Sequence, residues 1–304
     1  MAFTAFSSND SPKVSNPTKT SKVVIALLAP GLAYLAAFFL TPLFALIMVS
    51  LEVPDPAGGY AEYVPAFEIA NYWNVIQLYL PQILRSFSYA LIATFFALII
   101  SYPLAYFIGV KARPYPLVQK LMLTLVIAPF FISFLLRTLA WKQIFSNESW
   151  IVSSLQEIGF LGPDQYLAGT PFMVIFGLTY NFIPFMTLPL YTSLERLDIR
   201  YLEAGSDLYA SPSKVFRKIT IPLSMPGIIS GTLLTFIPIA GDYITASGEF
   251  LGSSQTSMIG NVIESNYLQS NDYPAASAMS VLLMGVILVL VTAYVRRSGT
   301  EDLI

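Results

Sequence analysis

The sequence predicts an all-α membrane protein of six transmembrane helices with both termini in the cytoplasm. Its 304 residues are 55% hydrophobic and only 11% charged, and the mean hydropathy is +0.65. A soluble domain carries about 25% charged residues, so this chain has too few charges to cover a soluble globule. Six apolar stretches supply the helices, each with about the 20 residues that a bilayer crossing needs.

The six stretches lie at residues 23–50, 86–110, 117–139, 171–194, 223–245 and 275–295. The first is too long for a signal peptide and lacks a small-residue cleavage site, so we expect it to be retained as a helix. Prolines interrupt the second to fifth stretches, at Pro103, Pro129, Pro184, Pro189 and Pro238. Ordinary kinks are the simpler interpretation; the alternative is that the breaks shape a cavity.

The distribution of basic residues predicts the orientation of the chain. Thirteen of the 16 basic residues fall on one side: Lys13, Lys19, Lys22, Lys111, Arg113, Lys120, Arg196, Arg200, Lys214, Arg217, Lys218, Arg296 and Arg297. The other side has Arg85, Arg137 and Lys142. Cytoplasmic loops carry the excess of Lys and Arg, so both termini are expected inside. Residues 1–22 read as a disordered cytoplasmic tail, residues 23–298 as the six-helix domain and residues 299–304 as a C-terminal tail.

The composition excludes most enzyme chemistry. The chain has no cysteine and no histidine, which removes thiol catalysis, Cys-ligated zinc and the commonest metal ligand and general base. The net charge of −2 argues against a nucleic-acid partner. We therefore expect a chain that binds no metal or cofactor and whose work is conformational.

The loops on the outer side are acidic. They contain Glu52, Asp55, Glu62, Glu68, Glu148, Glu157, Asp164, Glu249, Glu264 and Asp272. A solvated surface is one interpretation, and an electrostatic bias toward cations at the outer mouth is the other. Ahead of the second stretch, residues 71–73 followed by Pro81 predict a short interfacial segment.

The longest cytoplasmic loop, residues 195–221, predicts two short amphipathic helices. The first covers about residues 197–208. The second follows Ser211, a good N-cap, and Pro212, which suits the first helical position. Its apolar face holds Val215, Phe216 and Ile219, and its basic face holds Lys214, Arg217 and Lys218. We expect the second helix to lie along the membrane surface with its basic face toward phosphate headgroups or a partner, and the first to fit the groove of another protein.

This loop resembles the EAA loop of permease subunits of ATP-binding-cassette importers. That signature has Glu-Ala-Ala, then a glycine, then an apolar-Pro-Leu-x-x-Pro-Gly-Ile ending. Here Glu203 and Ala204 are followed at the family's spacing by residues 221–228, which read Ile-Pro-Leu-Ser-Met-Pro-Gly-Ile. Two positions depart from the signature: Gly205 replaces the second alanine, and Tyr209 stands where glycine is usual. We therefore expect the turn or the partner's groove to differ slightly.

Five further runs resemble the spermidine/putrescine permeases of these importers, nearest to the first of their two permease subunits. They are residues 181–191, 194–198, 241–243, 258–263 and 271–277. The likeness covers nearly the whole chain after the N-terminal tail. Parts of these runs are shared by relatives that move iron, thiamine or phosphonates.

The resemblance implies a type I ABC importer permease fold in the bacterial inner membrane. It implies alternating access and three kinds of partner: a second permease subunit, two copies of an ATP-binding subunit, and an extracytoplasmic substrate-binding protein. The sequence has no Gly-Lys-Ser/Thr of a P-loop, so ATP and magnesium would bind the ATPase. Matching the signature assigns ATPase coupling to Arg200, Glu203, Ala204, Gly205, Asp207 and Tyr209.

Five residues are candidates for the substrate pathway. Asp242 is an ionisable group at membrane depth, which faces protein or a water-filled path, and Tyr243 beside it offers a cation–π surface. The alternative for Asp242 is a structural pair with Arg85 or Arg137. Trp141, Tyr180 and Asn181 are weaker candidates, since most such aromatic residues pack or form interfacial belts.

Three rival functions stay open on the sequence. The same architecture could carry another solute, such as thiamine, iron or a phosphonate. A stand-alone secondary transporter would need paired repeats with coupling-ion sites, and a membrane enzyme would need a close carboxylate pair within the membrane. The sequence shows neither of these features.

Overall fold

Long apolar helices dominate the computed structural model, which describes residues 22–162 and 166–298. The chain divides into two compact units, Met1–Leu46 and Ile47–Ile304. Apart from Lys22, the predicted N-terminal tail lies outside the described residues, and so do residues 299–304 of the predicted C-terminal tail.

The first unit contains one apolar helical run. Helix α1 (Lys22–Leu35) continues through a π-helical turn (Ala36–Leu40) into α2 (Thr41–Val49), whose last residues belong to the second unit. Its 24-residue segment Ala26–Val49 is long and apolar enough to cross a membrane, as predicted for residues 23–50.

The second unit contains two short strands and eleven α-helices within its described residues. These are β1 (Glu52–Pro54), β2 (Tyr63–Pro65), α3 (Ala70–Tyr106), α4 (Pro116–Ile127), α5 (Phe134–Ile144), α6 (Trp150–Glu157), α7 (Pro171–Arg196), α8 (Arg200–Asp207), α9 (Pro212–Val215), α10 (Ile221–Leu223), α11 (Met225–Ala240), α12 (Ile259–Leu268) and α13 (Tyr273–Ser298). Two π-helical turns, Phe107–Lys111 and Phe216–Thr220, and the 3₁₀ turn Ala128–Phe131 extend these helices.

The described residues hold four to six candidate membrane spans. Ala26–Val49, Ala70–Lys111, Pro171–Arg196 and Tyr273–Arg296 qualify as single helices, and two bent pairs raise the number to six. The first pair, Pro116–Phe131 with Phe134–Ile144, bends by 94°, and the second, Pro212–Leu223 with Met225–Ala240, bends by 65°. The third predicted span is therefore a broken helix. The fifth, predicted over residues 223–245, is the 16-residue helix α11, and the 65° bend lies before it, where the loop segment Pro212–Leu223 ends.

The third span differs most from its prediction as one helix over residues 117–139. Pro129 lies in the 3₁₀ turn, and Ile132 after it is extended, with φ −107° and ψ 135°. Proline has no N–H for the helical ladder, so a helix ends or kinks there. By contrast, Pro184 and Pro189 lie inside α7 without ending it.

The second span is longer than predicted, because the expected interfacial segment is continuous with it. Helix α3 has 37 residues and kinks at Tyr79, where φ is −113° and ψ is 16°. The kink precedes Pro81, whose ring and missing N–H disturb the turn before it.

A short hairpin lies outside the all-α prediction. Strands β1 and β2 pair antiparallel with Val53 opposite Val64. The hydroxyl groups of Tyr60 and Tyr63 donate to the carbonyl oxygens of Ser270 and Asn271, each at 3.0 Å. These two bonds hold the hairpin to the turn before α13.

Small residues bring the central helices α3, α7 and α11 close together. On α3, Ala90, Ala93 and Ala97 are fully buried. On α11, Gly227 and Gly231 are one turn apart and face α7. A Cβ on Gly227 would lie 2.9 Å from the Pro189 carbonyl oxygen, and one on Gly231 would lie 2.9 Å from the Met186 sulfur. Such small-xxx-small pairs let membrane helices approach until their backbones touch.

Candidate functional site

Helix α8 presents an exposed face within the EAA-like loop (residues 195–221). Arg200, Glu203, Ala204 and Asp207 recur at helical spacing and are all exposed, and we call them the α8 face. Gly205, on the opposite side of the helix, is buried. Four of the six residues assigned to coupling therefore share one accessible surface, which is available to a partner.

Gly205 lets α8 pack closely on the helical segment that follows. A Cβ at this position would lie 2.9 Å from Cδ1 of Ile219 and 3.1 Å from Cγ2 of Val215. The replacement of the usual alanine by glycine thus has a local reason, since it removes the one methyl group that this contact would crowd.

The second helix of the loop has the predicted faces. Val215, Phe216 and Ile219 turn inward, whereas Lys214, Arg217 and Lys218 are exposed. Pro212 takes the first helical position and Ser211 the N-cap, as predicted, although the Ser211 hydroxyl makes no capping bond. The segment continues without a gap through the π-helical turn into α10.

The turn after α8 keeps a left-handed residue although glycine is absent. Tyr209 has φ +55°. Its N–H donates to the Ser206 carbonyl at 2.9 Å, and the Ala210 N–H donates to the Gly205 carbonyl at 3.1 Å. These two bonds form a Schellman motif with Tyr209 at its left-handed position. Of the two expected differences, the turn keeps its left-handed form, which tyrosine adopts at a cost of about 1–2 kcal/mol, and a difference in the partner's groove stays a prediction.

Phe216 connects the loop to the helix bundle. Its ring meets the rings of Tyr102 and Tyr106 on α3 edge-on, with centroids 5.5 and 5.7 Å apart. The Tyr102 hydroxyl is in turn 2.8 Å from that of Ser224, between α10 and α11. Sequence reasoning placed Phe216 on an apolar face but did not identify its partners, which lie more than 100 positions earlier in the chain.

Arg113 caps the end of α7 where the loop begins. Its Nη2 donates to the carbonyl oxygen of Leu194 at 2.8 Å and also to that of Glu195, and its Nε donates to the Gly109 carbonyl at 2.7 Å. A guanidinium here satisfies carbonyl groups that the helix end leaves unpaired. In the sequence, Arg113 counted only toward orientation, so this positioning role was missed.

Together these contacts join the α8 face to the membrane helices. Gly205 packs against the Val215–Ile219 segment, that segment packs through Phe216 on α3, and Arg113 holds the end of α7. A cavity of about 600 Å³ borders the loop, lined in part by Arg196, Asp198 and Gly227. Packed side chains and hydrogen bonds thus link α8 to α3 and α7.

A second cluster forms where α5, which follows the 94° bend, packs against α7. The Trp141 ring meets those of Tyr180 and Phe176 edge-on, with centroids 5.1 and 4.9 Å apart. One turn before Trp141, Thr138 accepts a 3.1 Å hydrogen bond from Nδ2 of Asn181. The 94° break before α5 therefore brings Trp141, Tyr180 and Asn181 together.

This α5–α7 cluster contains polar groups without a bonding partner among the described residues. Asn181 is 1% exposed, and its Oδ1 accepts no hydrogen bond there. Arg137 is also buried; its Nε is unbonded within the same residues, and its guanidinium lies 5.8 Å from the centre of the Phe134 ring. Buried polar groups normally have partners, and these two atoms have none among the described residues.

Asp242 and Tyr243 lie elsewhere, in the loop after α11. Asp242 is 8% exposed. Its carboxylate accepts the Thr245 N–H at 2.7 Å and the Thr245 hydroxyl at 3.2 Å. These bonds hold the turn in which Asp242 itself lies. Arg85, one of its two expected structural partners, donates instead to the Ser257 carbonyl at 2.8 Å. Tyr243 is partly exposed, and its carbonyl accepts a bond from Asn261.

Lys142 joins this loop to the α5–α7 cluster. Its Nζ donates to the Glu249 carbonyl at 2.7 Å. Nearby, burial raises the pKa of Glu264, and the Glu249 carboxylate raises it further. The carboxylates of Glu249 and Glu264 therefore lie near enough to interact, and the bias of the acidic loops toward cations stays a prediction. In the described part of the chain, no three His, Cys, Asp or Glu side chains converge as metal ligands.

The fold and the loop define a class of protein: a multi-pass membrane transport component rather than an enzyme. Residues 103–298 match the family of the binding-protein-dependent transport system inner membrane component. The chain belongs to this family and is located in the bacterial inner membrane.

Relatives cover nearly the whole chain. It is 34% identical over 281 residues to the spermidine/putrescine transport system permease protein PotB of Haemophilus influenzae, covering 92% of this chain and 94% of that protein. It is 35% identical over 266 residues to PotB of Escherichia coli, covering 87% and 94%.

Solved structures show the fold. A bacterial alginate ABC transporter, in complex with a periplasmic protein that binds an alginate pentasaccharide, matches with a TM-score of 0.65 at 17% identity, covering 92% of this chain and 94% of the other. An inward-facing MetNI methionine ABC transporter matches with a TM-score of 0.57 at 18% identity, covering 74% and 96%. The chain has the type I ABC importer permease fold.

Proposed function

We propose that this chain is the first permease subunit of an ATP-driven polyamine importer. The observation that carries the coupling role is the α8 face, which is exposed to a partner yet packed through Gly205 and Phe216 onto the membrane helices. Spermidine and putrescine as substrates rest on the similarity to the two PotB proteins over most of the chain.

In this proposal α8 acts as the lever of the transporter. Arg200, Glu203, Ala204 and Asp207 contact a separate ATPase, which binds ATP and magnesium. When the ATPase dimer closes, it carries α8 with it, and the packed contacts of Phe216 and Arg113 pass the movement to α3 and α7. A rigid link is required because a flexible loop would absorb the displacement.

The proposed assembly has four further subunits. A second permease completes the membrane pathway, two ATPase subunits lie at the α8 end, and an extracytoplasmic binding protein delivers substrate to the acidic end. Both termini face the cytoplasm, since basic residues concentrate at the α8 end. Residues 23–298 form the permease domain, between an N-terminal tail of residues 1–22 and a C-terminal tail of residues 299–304.

The α5–α7 cluster is the part of the pathway that we propose contacts the polyamine. The faces of Trp141 and Tyr180 suit a protonated amine through cation–π attraction, about 0.5–2 kcal/mol per contact. The Asn181 Oδ1 is a buried acceptor without a hydrogen bond among the described residues, and in this proposal an ammonium N–H reaches it when the cluster opens during transport. Asp242 contributes negative charge and holds the turn that carries Tyr243, since its oxygens already accept bonds from Thr245.

The proposal predicts that the chain restores polyamine uptake to cells that lack it. Labelled spermidine is measured with and without the restored gene, with unlabelled putrescine, thiamine or glycine betaine as competitors. We expect uptake that only putrescine competes away. Spermidine uptake that does not depend on the chain, or that thiamine suppresses, would exclude polyamines as the substrate. It would favour another solute for a permease of the same fold.

Trp141→Ala is expected to reduce spermidine uptake by about tenfold, the equivalent of about 1.4 kcal/mol, because it removes the cation–π face and the contact with Tyr180. Trp141→Phe, which keeps a ring, should retain most uptake. The matched control is Trp150→Ala on α6, since Trp150 is exposed. Basal ATPase activity is measured in parallel, and equal uptake by Trp141→Ala and the control would exclude this residue from the pathway.

A further inference from the structure

The end of α8 displays two apolar side chains to solvent. Leu208 is 81% exposed and Tyr209 is 98% exposed. Among the side chains whose exposure the structure describes, no other large apolar or aromatic one is as exposed as Tyr209. Within the described residues its ring packs on no other ring and its hydroxyl makes no hydrogen bond, so the side chain contributes nothing to the fold.

The backbone conformation at Tyr209 is energetically unfavourable for a residue with a large side chain. The left-handed position of a Schellman motif suits glycine, which has no Cβ to clash, and Tyr209 occupies it with φ +55°. Strained residues of this kind cluster at ligand clamps and contact sites. The left-handed backbone disfavours a large side chain at position 209, and the ring makes no stabilising contact within the described residues. Its presence there indicates a contact with another molecule.

The surroundings favour a protein pocket as the site of that contact. Tyr209 lies two residues beyond Asp207, and both side chains are exposed, so a partner that contacts the end of α8 at Asp207 is close to the tyrosine as well. Those two exposed carboxylates oppose the anionic headgroups of a membrane surface. Exposed tyrosine is also a residue type that carries much of the binding energy of protein interfaces when it enters a desolvated pocket.

We propose that Tyr209, supported by Leu208, is an aromatic anchor that inserts into an apolar pocket of the ATPase subunit and selects the ATPase that this permease accepts. The inference rests on the proposed function, because the partner of the α8 face is the ATPase. An ATPase whose groove is shaped for a glycine at this turn lacks room for the ring, so the same residue gives affinity for one partner and excludes others.

The test measures binding of the ATPase subunit to the complete permease in nanodiscs for three variants. Tyr209→Gly and Tyr209→Asn keep the left-handed turn without the ring, and Tyr209→Phe keeps the ring. We expect Tyr209→Gly and Tyr209→Asn to lower the affinity of the permease for the ATPase by about tenfold or more, and Tyr209→Phe to lower it by less than about twofold. Tyr115→Ala, at another exposed tyrosine, is the control and should bind normally.

A photoreactive benzoyl-phenylalanine at position 209 identifies the contact directly. A cross-link to the ATPase supports the anchor, whereas a cross-link to lipid alone overturns it. Normal ATPase binding by the Gly and Asn variants also overturns it and leaves the proposed function intact. Failure of the unaltered permease to bind any ATPase would instead overturn the proposed function on which the anchor depends.

Discussion

Glu203→Ala should reduce substrate uptake by about tenfold or more while the protein still inserts and folds. Glu203 is exposed on the α8 face, and its carboxylate makes no hydrogen bond or ion pair with other described residues, so removal of the carboxylate leaves the fold unchanged. Loss of a charged hydrogen bond at a partner interface costs about 1.5–3 kcal/mol, enough to weaken the joint between ATPase and lever. Uptake and ATP hydrolysis are measured together in proteoliposomes.

Glu157→Ala is the matched control, because Glu157 is also an exposed carboxylate at the end of a short helix. We expect its uptake to equal that of the unaltered chain. The informative result for Glu203→Ala is ATP hydrolysis that no longer drives transport. Unchanged uptake would remove Glu203 from the coupling role and leave it as a solvated helix charge.

Gly227→Ala should destabilise the packed bundle by about 1–3 kcal/mol, the usual cost of overpacking. The new methyl group would lie 2.6 Å from Cβ of Ser193 and 2.9 Å from the Pro189 carbonyl oxygen. Backbone atoms cannot rotate away, so α11 must separate from α7. We expect a lower midpoint of thermal unfolding and a smaller amount of protein in the membrane.

Gly285→Ala on α13 makes the same chemical change in open space, where a Cβ meets nothing within 4 Å. Alanine is favoured over glycine inside helices by about 1 kcal/mol, so this control should be neutral or slightly stabilising. Equal thermal midpoints for the two variants would show that α7 and α11 do not depend on this close contact.

The contrast between these two glycines shows where sequence reasoning ends. Gly227 lies in the Pro-Gly-Ile ending that suggested the family, but the sequence does not show that its Cα touches the backbone of α7. Gly285 lies in an equally apolar stretch and touches nothing. The difference is a property of the neighbouring helix and not of the residue.

The EAA-like loop shows the same division. The faces of its second helix follow from local periodicity and were predicted correctly, because burial at 3.6-residue spacing depends on one segment alone. The attachment of that helix was not predictable, since Tyr102, Tyr106 and Arg113 are distant in sequence from Phe216 and Leu194. At Tyr209 the amino acid predicted a difference in the turn or in the partner's groove, and the structure shows that the turn is left-handed, with the hydrogen bonds of a Schellman motif.

The sequence by itself determined that this chain is a multi-pass membrane permease, because apolar length and the loop signature depend only on which residues follow one another. The tertiary structure decided which proline breaks its span, since the helix bends by 94° after Pro129 but continues through Pro184 and Pro189. It also decided that Trp141, Tyr180 and Asn181 lie in one cluster and that the Asp242 carboxylate accepts hydrogen bonds from Thr245. Such arrangements depend on the distance between segments, which is set by packing across the whole bundle.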